Sequence, residues 1–182
     1  MNDRNDIASV IDFWRQVGPT GWFRKDDAFD RDFKARFETL HWRAARRELD
    51  HWQESAEGAF ALMILLDQYP RNSFRNTGHM YATDALALHH ARLALDAGHD
   101  MAIEQAIRVF FYLPFSHSEA LADQELAYKL NLERLVGEFH EHAKDHRDIV
   151  ARFGRFPHRN PILARQSTPE EFEFLAEGGF SG

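Results

Sequence analysis

Between His146 and Arg165 the chain reads HRDIVARFGRFPHRNPILAR, with arginines at 147, 152, 155, 159 and 165 and a single acid, Asp148. Five positive charges and one negative give this stretch a formal +4, in a chain whose net charge is −7. A guanidinium presents a planar fork of donors that matches a carboxylate or phosphate two bonds at a time, so the segment is a candidate anion site. Gly154 should end the preceding helix in a left-handed turn, and Pro157 should stiffen the exit. Two further polar clusters stand at helix ends: Asp67, Gln68, Arg71, Asn72 and Arg75, then His117, Ser118, Glu119, Asp123 and Gln124. If the three ends converge, Arg71, Arg75, His117, Glu119, Arg155, His158, Arg159 and Asn160 line a pocket for an anionic small molecule or a peptide carboxylate. The chain is then a binding or scaffold module. Alternatively it is a hydrolase- or transferase-type enzyme on an anionic substrate, with His117 or His158 as acid–base and the arginines as clamps. A plainer alternative uses the same residues. They can neutralise one another in internal networks, because a buried polar group left unpaired costs roughly 1–3 kcal/mol. Asp67 and Arg152, on helix faces beside apolar residues, suit that structural role.

Other chemistries find less support. Glu138, His142 and His146, spaced four apart, can supply three metal ligands. HEHAK (His140 to Lys144) lacks the second histidine of the HExxH zinc pattern, however, and eleven histidines give such pairs by chance. No metal and no cofactor is expected. The adjacent His89 and His90 point about 100° apart on a helix. Ser116 to Glu119 hold nucleophile and base types without a G-x-S-x-G elbow, and a helix cap explains them more simply. RFGRFPHR (Arg152 to Arg159) has one glycine, short of any phosphate-binding loop. Phe153 and Phe156 among arginines can stack on bases, although phenylalanines flanking a helix stop are ordinary core residues. Net −7 and a pI near 5.9 argue against a nucleic-acid partner. The 18 arginines against 4 lysines suit anion recognition, but a GC-rich genome produces the same bias.

These residues must be positioned by helices. Apolar residues recur at helical spacing almost from end to end, and no segment alternates with period two. Ile7, Val10, Ile11 and Trp14 form a first stripe, closed by Gly18-Pro19. Asp26 or Asp27 caps a second, carrying Phe29, Phe33, Phe37, Leu40 and Ala44 and ending near Leu49-Asp50. Ser55 caps a third, whose run FALMILL has no polar face and belongs in the middle of a core; Pro70 ends it. Asp84 caps a helix stopped by Gly98. Another runs from about Ala102 to Tyr112. A long helix begins at Ser116 or Ser118, the next covers Glu138 to Phe153, and Thr168-Pro169-Glu170-Glu171 opens the last with a capping box. The fold expected is all-α, with about eight helices in one domain over residues 1–182. Antiparallel pairs of this kind stack as a bundle or as an α-solenoid, and no internal repeat of fixed period is legible. With no cysteine, no apolar run near the roughly 20 residues a membrane span needs and no signal-peptide layout, a soluble cytoplasmic protein without membrane partners is expected. No feature fixes an oligomeric state.

Three blocks carry a family resemblance: LLDQYPRNSFRNTGHMYATDALAL (Leu65 to Leu88), FFYLPFSHSEALADQ (Phe110 to Gln124) and HRDIVARFGRFPHRNPILARQSTPEE (His146 to Glu171). In that order, with IDFW (Ile11 to Trp14) and WFRKDDAFD (Trp22 to Asp30) ahead of them, they resemble the signature blocks of a bacterial family, number 924 in the domain-of-unknown-function series. The resemblance covers nearly the whole chain. It implies a tetratricopeptide-like helical fold and so favours a short α-solenoid of antiparallel helix pairs. It implies no activity. The chain departs from the family pattern at Ala85, where proline is frequent, and at Ala164, where glycine is frequent.

Overall fold

The computed structural model describes residues 3–137 and 139–181. Among them the regular structure is entirely helical, in ten α-helical segments rather than about eight, linked by 3₁₀ turns and one π-helical turn. The chain divides into two compact units. The first comprises Met1–Arg75 and His79–Pro114, the second Asn76–Gly78 and Phe115–Gly182.

In the first unit, α1 (Asp3–Val17), α2 (Pro19–Trp22), α3 (Asp27–Ala45), α4 (Ala56–Met63), α5 (Tyr69–Ser73) and α6 (Asp84–Asp96) surround an aromatic core. Trp14 and Trp22 each meet Phe110 edge-on at 5.2 Å, and Phe13 stacks on Phe33 at 5.3 Å. The apolar run from Phe60 to Leu66 is wholly buried, as its lack of a polar face requires. Each of its side chains other than that of Ala61 contributes roughly 1.5–3 kcal/mol. Asp26 caps α3 by accepting the amides of Ala28 and Phe29, and Ser55 caps α4 through the amide of Gly58. The α3 helix stops at Ala45, before the expected Leu49-Asp50, where Arg47 turns into a left-handed conformation.

Pro70 does not end its helix. The turn Ile64–Gln68 is π-helical, and the Tyr69 amide reaches back five residues to Ile64 O. The wider turn takes up the missing donor of Pro70, so the chain continues helically to Ser73. Leu66 O, the carbonyl that an N–H at position 70 would have bonded, accepts instead from Thr83 Oγ1 at 2.6 Å. Leu65 O, released by the shifted Tyr69 bond, accepts from a ring nitrogen of His41 at 2.8 Å. Nor is Asp84 the cap of α6. Thr83 stands at that position, and the Asp84 carboxylate is drawn to Arg71. The helix expected over 102–112 is 3₁₀ from Gln105 to Phe111, entered through extended Ile103. It is pinned to buried Asp100 by Arg108 Nε on the backbone carbonyl and by the Tyr112 hydroxyl on the carboxylate.

The short α7 (Leu113–Ser116) crosses into the second unit. There, α8 (Leu121–Arg134) packs against α9 (Phe139–Phe153). Ser118 precedes α8 without capping it conventionally: its hydroxyl donates to Asp123 and accepts from the Ala120 amide. Gly154 ends α9 at φ 70°, as expected, and Ile149, Val150 and Phe156 pack with Phe153 and Phe174. The last helix, α10 (Pro169–Ala176), starts with the capping box read from the sequence: Thr168 Oγ1 accepts the Glu171 amide, and Glu171 accepts the Thr168 amide.

Candidate functional site

Arg71 and Arg75 lie in the first unit, the other six candidates in the second. Arg71 forms a two-bond fork with Asp84, at 2.8 and 3.0 Å, and lies 3.0 Å from a carboxylate oxygen of buried Asp67. Burial works against its charge, but the two carboxylates outweigh it and hold its pKa above the ordinary arginine value. Arg75 donates to Asp30 at 2.7 Å and to Asn72 at 2.7 Å. Both guanidiniums are matched by acids that the sequence reading left out of the site. These ion pairs tie α5 to α6, and the chain just after α5 to α3.

In the second unit, Glu171 is the hub of a network. Only 2% exposed, it accepts Arg155 Nε at 2.6 Å, Arg155 Nη2 at 2.7 Å, the Thr168 amide at 2.8 Å and Asn160 Nδ2 at 3.2 Å. The bonds from Arg155 are the chief reason that its carboxyl is held down at about 2, against the opposing effect of burial. Glu119 accepts both terminal nitrogens of Arg165, at 2.6 and 2.9 Å, and the Phe156 amide at 2.8 Å. Burial pushes its carboxyl up, but these partners together hold it below the usual range. Arg165 Nε donates to Asn160 Oδ1 at 2.9 Å, which joins the two halves. Arg155, Glu119 and Asn160 do come together, then, as parts of a salt-bridged lattice securing the 154–168 loop to α10. Its centres are Glu171 and Arg165. The sequence signalled Glu171 only as a capping residue, and Arg165 only as one arginine of five. Arg152 is exposed and pairs at the surface with Glu170 at 2.9 Å, outside the buried role expected of it.

The remaining candidates form a different group. His117, His142, His158 and Arg159 all lie within electrostatic reach of His146. Half-buried His146 is pushed down to about 3, first by burial and then by repulsion from those four groups. His158 is pushed down to about 4 by burial and by Arg159, His117 and Arg165, with only Glu119 pulling the other way. The rings sit on phenylalanines: His146 and His158 meet Phe180 edge-on at 4.7 and 5.0 Å, and the guanidinium of buried Arg159 lies 4.6 Å over Phe156. His158 Nδ1 is sealed from solvent with no hydrogen-bond partner among the described residues. Glu138, the first of the three metal-spaced residues, lies outside the described residues. Among those described, no three His, Asp or Glu side chains are grouped to hold a metal ion.

No curated protein matches the chain. A solved structure of a protein of unknown function from Agrobacterium tumefaciens is similar to it at 55% identity and a TM-score of 0.94, over 97% of this chain and 100% of that one. Residues 10–179 match the family described as bacterial protein of unknown function, DUF924, which is the family the three sequence blocks resemble. The match spans the ion-paired lattice, the histidine group and both polar helix ends, and on its extent the chain belongs to the DUF924 family.

Proposed function

We propose that the protein is a binding module, a tetratricopeptide-like helical scaffold in the cytoplasm, that takes an anionic small molecule or a peptide carboxylate at the turn carrying His158 and Arg159. The carrying observation is the buried, unpartnered Nδ1 of His158 beside Arg159, within reach of two further imidazoles. The other arginines first considered are matched by Asp84, Asp30 and Glu171 and have no such role. Around His158 and His146 the titratable and charged neighbours are Arg159, Arg165, His117, His142 and Glu119, so one carboxylate faces an excess of basic groups. An anion arriving there offsets the repulsion that adds to burial in keeping the imidazoles neutral. Binding should therefore take up protons and strengthen as pH falls from 7 toward 5.

Inorganic phosphate and acetate serve as probes, followed through the histidine ring resonances in an NMR titration at pH 6. Phosphate should shift His146 and His158 in the parent, and H158A with R159Q should abolish the shift while leaving helicity intact. Arg155→Ala should behave oppositely, lowering the melting temperature by several degrees without removing the phosphate response. If the histidine resonances of the parent ignore both anions at tens of millimolar, the reading fails.

A further inference from the structure

The first unit contains a second group of titratable residues, 38 positions apart in the chain, which the sequence reading passed over. His41 on α3 is fully buried, with Nδ1 2.8 Å from Leu65 O and Nε2 2.8 Å from Nε2 of His79. A carbonyl oxygen only accepts, so His41 Nδ1 carries the hydrogen and its Nε2 is a bare lone pair. The hydrogen between the two rings therefore belongs to His79 Nε2. In neutral His79 that leaves Nδ1 as a lone pair, and burial favours the neutral ring by lowering its pKa. The relay Leu65 O–His41–His79 thus sets a tautomer at a distance, as a carboxylate does behind a catalytic imidazole. It exists because the π-helical turn at Ile64–Gln68 releases Leu65 O from the helix ladder, and such turns recur at functional sites.

The surroundings are aromatic. The His79 ring meets Phe74 edge-on at 4.3 Å and lies 4.6 Å from Trp42, and Lys34 Nζ stands 4.8 Å over Phe74. His79, Trp42, Phe74 and Lys34 are all half-buried, and among the described residues His79 Nδ1 makes no hydrogen bond. A fixed acceptor beside a half-buried indole and an ammonium group is suited to a planar ring that brings its own donor. We propose that His79 Nδ1, flanked by Trp42 and Phe74, is the acceptor of a second binding site, for a planar aromatic ligand with an acidic O–H or N–H. Trp42 supplies the stacking face, and His41 is a positioning residue.

Phenol and its methyl ether, anisole, test the idea on the full chain, since they share a ring and differ in the donor. Long-range ¹H–¹⁵N correlation spectra should show His79 protonated at Nε2 and bare at Nδ1 at pH 7, with phenol shifting Nδ1 and the Trp42 ring. Anisole should bind roughly tenfold more weakly, the scale of one lost hydrogen bond. Trp42→Leu should weaken both probes, and His41→Asn should mix the His79 tautomers and narrow the phenol–anisole gap. The tautomer and probe measurements on the parent stand even if a variant misfolds. A bare Nε2 on His79, equal binding of the two probes, or no response of His79 and Trp42 to tens of millimolar phenol would each overturn the proposal.

Discussion

At the scale of residues, the arginines show how far side-chain type leads. Their number and their place at helix ends were legible, and so was the choice between pocket and internal network. Which side each arginine takes depends on acids distant in sequence, such as Asp30 for Arg75 and Glu119 for Arg165, and spacing does not report those pairings. Ala164 was legible in another way. The resemblance to the family implies glycine there, and φ at Ala164 is +52°, a left-handed conformation in which a Cβ crowds the backbone. Ala164→Gly should therefore stabilise the protein by about 1 kcal/mol, less whatever glycine adds to the freedom of the unfolded chain. Chemical denaturation of the variant, with an unchanged m-value, checks it. A loss of stability would mean that the unfolded-state term dominates.

At the scale of elements, helix starts and stops governed by local chemistry were readable. Ser55, Gly154 and the Thr168 capping box sit where expected, because each acts within one turn of itself. The effect of Pro70 is not legible locally because it depends on a partner 13 residues away, Thr83. A proline in a helix leaves a carbonyl without its donor, and a helix survives one only where something else takes that bond. Thr83 takes it, and the same π-helical turn frees Leu65 O for His41. Seen this way, the apolar run and the polar connector of the first signature block form one device, with Thr83 as its fastener. Replacing Thr83 by valine keeps the shape and removes the hydroxyl, leaving Leu66 O buried without its donor. The expected loss is about 1–3 kcal/mol, while Thr83→Ser should retain most of the stability. Equal stability of the valine and serine variants would show that the bond to Leu66 O contributes nothing.

At the scale of the whole molecule, the two units are not consecutive segments. Asn76–Gly78 belongs to the second unit, while the chain on both sides of it belongs to the first. The chain thus passes between the units more than once, and we propose that the 182 residues unfold in one cooperative step, as the unbroken helical patterning suggests. Acid provides a test because the depressed histidines are shared out: His41, at about 4, and His79 and His90, both also lowered by burial, are in the first unit, while His146 and His158, at about 3 and 4, are in the second. Each resists in the folded state a proton that the unfolded chain accepts below about 6.5. Stability is therefore complete above that pH and declines as pH falls toward 4. Glu171, held down at about 2, adds a later loss in the same direction below the ordinary glutamate range. If unfolding is cooperative, one calorimetric transition at pH 5 should bring the proton uptake of the histidines of both units together, about three protons or more, giving a slope of at least about 4 kcal/mol per pH unit. Two transitions, each with its own share of the proton uptake, would show instead that the units melt independently.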